Sequence, residues 1–237
     1  MFRKVDSKAF SSVRQLESLD LRSNHIRDLQ PKVFSQLDQL RRLDLSSNSI
    51  PAIFPLMFKG LPNLEMLSMR NNPLMMIARE TFATMANLRE LHLGKCKLTH
   101  LKPGVFDGLV NLRVLHLEHN GLRELPDGLF FDLRSLKKIQ LGFNELTTVN
   151  VCSFEDVTRI DEMLLDGNPI HCDCAIAWTS LPQTAKVYGK CVTPAVTRGQ
   201  DLANDNKYHV CRYTGFEDCK HLKHVNDVAK FMHYRHL

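Results

Sequence analysis

The stretch HLEHN, His116 to Asn120, sets two histidines and a glutamate close together. Imidazoles and a carboxylate at such spacing are the material of metal ligation and of general acid/base chemistry. What they can do depends on the backbone that carries them. On a helix, histidines at i and i+4 grip one zinc ion from a single face. On a strand, His116 and Glu118 share one face and Leu117 takes the other.

Internal periodicity decides between the two. The pattern L-x-x-L-x-L-x-x-N-x-L starts at Leu16, Leu40, Leu64, Leu88, Leu112 and Leu136, and with isoleucine leading at Ile160. Each start follows the last by 24 residues without insertion. A second series, Phe10, Phe34, Phe58, Phe82, Phe106, Phe130 and Phe154, keeps the same step. Each L-x-L is a short strand with leucines turned inward, so HLEHN lies on a strand and helical zinc geometry is missing. Asn24, Asn48, Asn72, Asn120, Asn144 and Asn168 fall in the turn after each strand. Recurrence of an amide at a core position implies a ladder of satisfied hydrogen bonds. Cys96 takes that place in the fourth unit and reads as a buried free thiol.

This pattern and period resemble the leucine-rich repeat family over about residues 5–170. The resemblance implies an α/β-type solenoid, or horseshoe. It has a parallel sheet on the concave face and a convex face mostly of loops and short helical turns. Residues 1–167 would form the solenoid, 168–219 a cysteine-rich C-terminal cap and 220–237 a basic tail. In the tail, Leu222, Val225, Val228 and Phe231 or Met232 recur at helical spacing. His221, His224, His233 and His236 there read as a solvated histidine-rich segment rather than a metal site.

The cap reading rests on N-P-x-x-C-D-C at residues 168–174, on Trp178 and on the later C-x-x-P at Cys191. By analogy with extracellular members of the family, Cys172 pairs with Cys191 and Cys174 with Cys211. Cys152 and Cys219 remain, and pairing them would fasten the tail to the convex side. Four thiolates on zinc is the rival, disfavoured because Cys191 and Cys211 stand twenty residues apart. Disulfides imply an oxidising compartment, hence a secreted protein or a cell-surface ectodomain. No apolar run approaches the ~18–20 residues of a membrane helix, so no membrane attachment is expected within this chain. Met1 is not followed by a basic-then-apolar leader, so secretion would imply a leader already removed. The cysteine cap usual at the N-terminus of such proteins is missing or truncated.

The net charge of +5 sits largely in the tail, where residues 220–237 carry four bases against one acid. The body is nearly balanced and lacks a basic stripe interleaved with aromatics, which argues against nucleic acid. The outward strand positions are the candidate binding surface: Glu90, His92, His116, Glu118, His119, Lys138, Gln140, Phe143, Glu162 and Asp166. In the last four units acids outnumber bases on these stripes, which predicts a cationic or hydrogen-bonding partner. No catalytic residue, metal or cofactor is expected, since a flat sheet gives no enclosed pocket.

Seven compact units with one cap are most similar to the variable lymphocyte receptors of jawless vertebrates. That similarity implies an immune recognition protein binding a protein antigen or a microbial surface polymer through the concave strands. The fit departs at the cap, where the projecting insertion of those receptors is not evident between Cys191 and Cys211. A neuronal guidance, adhesion or matrix-type protein-binding module is the alternative.

Overall fold

The computed structural model describes residues 3–5, 9–172 and 186–202. The proposed pairings of Cys174, Cys211 and Cys219, together with Trp178 and the tail segment, lie outside these residues. One parallel sheet of eight short strands runs the length of the described chain: Ser18–Asp20, Arg42–Asp44, Met66–Ser68, Glu90–His92, Val114–His116, Lys138–Gln140, Glu162–Leu164 and Val187–Tyr188. Seven are the repeat strands, paired in register at the same repeat position, as Leu91 with Leu115 and His92 with His116.

Each strand is short because only its inward residue and the leucine after it reach the core. Leu43, Leu67, Leu91, Leu115, Ile139 and Met163 have no exposed surface, nor have Leu93 and Leu117. Full burial of such a side chain stabilises by about 1.5–3 kcal/mol. The returning segments carry the phenylalanines, which stack ring on ring along the solenoid. Centroid spacings are 5.9 to 6.5 Å from Phe10 through Phe106 to Phe130, closing to 4.7 Å at Phe154.

The convex side holds short 3₁₀ turns at Pro55–Phe58 and Val151–Phe154. It also carries two small parallel ladders, Lys4–Val5 with Asp28–Leu29 and Ala52–Ile53 with Met76–Ile77. These ladders are an addition to the loop-and-turn expectation, and appear where one unit's returning segment lies alongside the next.

The asparagine ladder forms as expected. Asn72 donates from Nδ2 to the carbonyls of Met69 at 2.8 Å and Leu45 at 2.9 Å, and its Oδ1 accepts from the Ile50 N–H at 3.0 Å. Asn48, Asn120 and Asn144 repeat this scheme in their own units. Cys96 is buried and supplies only weak Sγ contacts, to the carbonyls of Met69 at 3.5 Å and Gly94 at 3.7 Å. Burial pushes its thiol up to about 11, so it carries no thiolate at neutral pH. Cys96→Asn restores an amide to the ladder and is expected to stabilise the fold by about 1 kcal/mol, read as a rise in Tm. A fall in Tm would mean that the cavity at this unit is too tight for the amide.

At the C-terminal end a disulfide joins Cys172 to Cys191, 19 residues apart. It holds the segment whose residues Val187 and Tyr188 pair with Met163 and Leu164. The cap thus supplies an eighth strand that covers the open edge of the seventh, which a solenoid requires. Cys152 is disulfide-bonded as well.

Candidate functional site

Adjacent strands lie about 4.8 Å apart, so side chains at one repeat position form stripes across the concave face. The middle stripe brings His92 and His116 together, their rings stacked with centroids 4.3 Å apart and planes 9° from parallel. His92 Nε2 lies 3.5 Å from Glu90 Oε2, and His116 Nδ1 lies 3.4 Å from Glu118 Oε2. Glu118 Oε1 also accepts from Arg70, which belongs to the strand turn two units earlier.

That reach spans 48 residues of sequence and depends on the residue between. Gly94 occupies the same repeat position in the intervening unit, and a Cβ there would stand 2.3 Å from Glu118 Oε1. Its missing side chain is therefore the space in which the carboxylate lies.

The consequence is a difference from the sequence expectation. As an outward strand position Glu118 is expected to be open to a partner, whereas it is only 8% exposed. Burial by itself would raise its pKa, but the close approach of the His116 ring, its backbone contacts and Arg70 outweigh that and hold it at about 2. His92 shifts down, first because burial disfavours the charged ring and then because His116 stands beside it; Glu90 and Glu118 oppose the shift only in part. A carboxylate held at about 2 is a poor proton acceptor near neutrality. The arrangement holds one carboxylate charged between an arginine and two stacked imidazoles.

The acidic excess read from the sequence is also smaller than it looked. Glu162 is bridged by Lys138 at 2.6 Å, and Glu118 is paired with Arg70 and flanked by the His116 ring. Glu90 and Asp166 remain as the solvent-exposed acids of the four C-terminal units' outward stripes. Gln140 is half-buried beside His116 by strand register.

His119 and Phe143 stand on the rim where the sheet gives way to the turns. Both have left-handed backbone, φ 56° and 57°, and their rings stack at 4.4 Å with planes 1° apart. Gly167 follows in the next unit, also at positive φ, and a Cβ there would come within 2.7 Å of the Phe143 ring. Phe143 is 56% exposed although it is large and apolar. A bulky residue held at positive φ costs on the order of 1 kcal/mol or more.

Three contributors escaped sequence reading. Arg70 takes an outward repeat position, but neither it nor Gly94 carries a local signal that ties it to Glu118. Tyr188, 44% exposed beside Leu164, extends the middle stripe; it stands 24 residues after Leu164, so the repeat frame itself carried the clue.

A stack of 24-residue coils with a continuous parallel sheet and a disulfide-tied end defines a leucine-rich repeat solenoid. The leucine-rich repeat model matches residues 14–74, 70–122 and 111–170. The chain belongs to the leucine-rich repeat family. No curated protein matches it.

Among solved structures it is similar to the TLR13–ssRNA13 complex, at 25% identity and TM-score 0.75, over 81% of this chain and 28% of that one. It is similar in fold to the octameric complex of Latrophilin 3, Unc5D and the FLRT2 LRR, at 22% identity and TM-score 0.67, over 86% of this chain and 71% of the other. The Toll–Spatzle complex of Drosophila matches at 20% identity and TM-score 0.66, over 84% of this chain and 33% of that one. The chain therefore spans about a third or less of the TLR13 and Toll chains. Among the described residues no helix is long and apolar enough to cross a membrane.

Proposed function

We propose that this chain is an extracellular recognition module that binds a protein partner through the concave face and rim of its C-terminal units. The role is that of a variable-lymphocyte-receptor-like immune protein whose partner is an antigen or a microbial surface component. Phe143 carries this reading. A large aromatic that is strained, exposed and stacked on His119 weakens the fold, and its use is as a binding anchor. The uninterrupted sheet beside it supports the reading by offering a broad, preformed surface. The Cys172–Cys191 disulfide supports an oxidising compartment.

The decisive variant is Phe143→Asn, since asparagine tolerates left-handed backbone. Its fold is expected to gain up to about 1 kcal/mol, read by thermal unfolding, while capture of partner from microbial or host extracts falls at least tenfold, or about 1.4 kcal/mol. Undiminished capture by both Phe143→Asn and a Glu90→Lys, Asp166→Lys variant would remove the concave site.

A second reading, a guidance or adhesion module, is favoured by one observation. The chain spans 71% of the chain it resembles in the FLRT2 complex, far more than for the Toll-type structures. Capture of a host cell-surface protein and of no microbial material would decide for it.

A further inference from the structure

A groove of about 660 Å³ runs along the flank of the first five units, off the concave sheet. Its floor is set by the left-handed turn residues Ser23, Ser47, Asn71, Lys95 and His119, all at φ between 53° and 58°. That backbone carries each side chain sideways from the strand stripes onto the flank, and the repeat spaces them at about 4.8 Å intervals. Asn71 Nδ2 donates to Ser47 Oγ at 3.1 Å, which holds two of these polar groups in fixed relation.

The groove differs in charge from the sheet beside it. Among the described residues no aspartate or glutamate lines it. Lys95, Lys97 and His25 are exposed along it, and neither lysine takes part in an ion pair among the described residues. The carboxylate of Glu118, in the unit next to Lys95, is turned to the concave side and engaged by Arg70 and His116. At the far end the His119 ring, backed by Phe143, offers one flat face.

We propose that this flank groove binds a linear anionic polysaccharide, with the serine and asparagine row meeting its hydroxyls and Lys95 and Lys97 meeting its sulfate or carboxylate groups. A periodic row of short donors and acceptors suits a polymer that repeats hydroxyl-rich units. The stacked ring pair suits the apolar C–H face of a terminal sugar. Single-stranded nucleic acid calls for ring faces spaced along the strand, and here they stand at one end only. An acidic peptide calls for apolar pockets between the charges, and the row is polar at every turn residue before His119. The site shares only the His119 edge with the concave surface, so the two fail or succeed separately.

The test titrates the full chain with size-defined dextran sulfate and with oligogalacturonate, with neutral dextran as control, and repeats both with Lys95→Glu, Lys97→Glu. The basic tail is common to both proteins and cancels in the comparison. Binding of either anionic polymer is expected to fall at least tenfold in the double variant and to weaken with salt. Ser47→Ala, Asn71→Ala is expected to lose roughly threefold without a change in salt dependence. Should the double variant fold poorly, Lys97→Ala alone carries the comparison, with an expected loss of roughly threefold to fivefold. Equal affinity for wild type and the folded lysine variants would overturn the proposal, as would equal binding of polyglutamate or oligothymidylate.

Discussion

Phe106→Ala is expected to destabilise the protein by about 3–5 kcal/mol and to divide its unfolding into two transitions. Phe106 has no exposed surface and stacks on Phe82 at 6.3 Å and on Phe130 at 6.0 Å. Removing the ring leaves a cavity bounded by two units that cannot both collapse into it, because each is tied by its own asparagine and strand bonds. Stability in a solenoid is a sum of unit and neighbour terms, so loss at one interface uncouples what lies on either side. Units one to four and five to seven should then melt separately in calorimetry, whereas wild type is expected to melt as one. A single sharp transition in the variant would show that the strands, and not the phenylalanine spine, carry the coupling. Phe10→Ala is the contrast, since Phe10 is only half-buried and stacks on one ring, Phe34, among the described residues, and should cost much less.

Arg70→Met is the second large effect, expected to cost about 1–3 kcal/mol. Arg70 is partly exposed, with 39% of its side chain accessible, which keeps the cost below that of breaking a fully buried pair. What is lost is the cation that accompanies a carboxylate only 8% exposed. Adding Glu118→Gln should recover part of the loss, so that the double variant is more stable than the sum of the singles predicts. Simple additivity would mean that the pair contributes nothing beyond two surface charges.

The same network sets an acid response. The folded pKa of Glu118, about 2, lies below the ordinary 4.5, so its contribution is present above pH 4.5 and is lost as pH falls toward 2. His92 also shifts down from 6.5, so the unfolded chain takes up its proton first and stability starts to fall below about pH 6.5. Both steps therefore lower stability on acidification. Replacing His92 with Gln, as Gln140 stands in the same stripe, should remove the upper step and leave the lower one. The readout is denaturant midpoint against pH.

The sequence by itself determined the solenoid, the inward leucines, the phenylalanine spine and the asparagine ladder. Each of these repeats at one period, and a unit of this kind buries its apolar edge only against a copy of itself. It also determined which residues face the hollow, because strand alternation is a local property. His92 and His116 stand side by side as that alternation and the repeat step together require.

Tertiary structure decided what those outward residues do. Glu118 is buried because an arginine two units away reaches it across a glycine, and nothing in HLEHN speaks of either. Phe143 and His119 leave the sheet for the rim because the turn takes left-handed backbone at that position in every unit from the first to the seventh. The cap's eighth strand formed because Val187 and Tyr188 fall on the repeat frame and the disulfide brings them to the open edge. Alternation and period are written in neighbouring residues; charge pairing, ring stacking and edge covering depend on residues from different coils, whose meeting only the stacked solenoid sets.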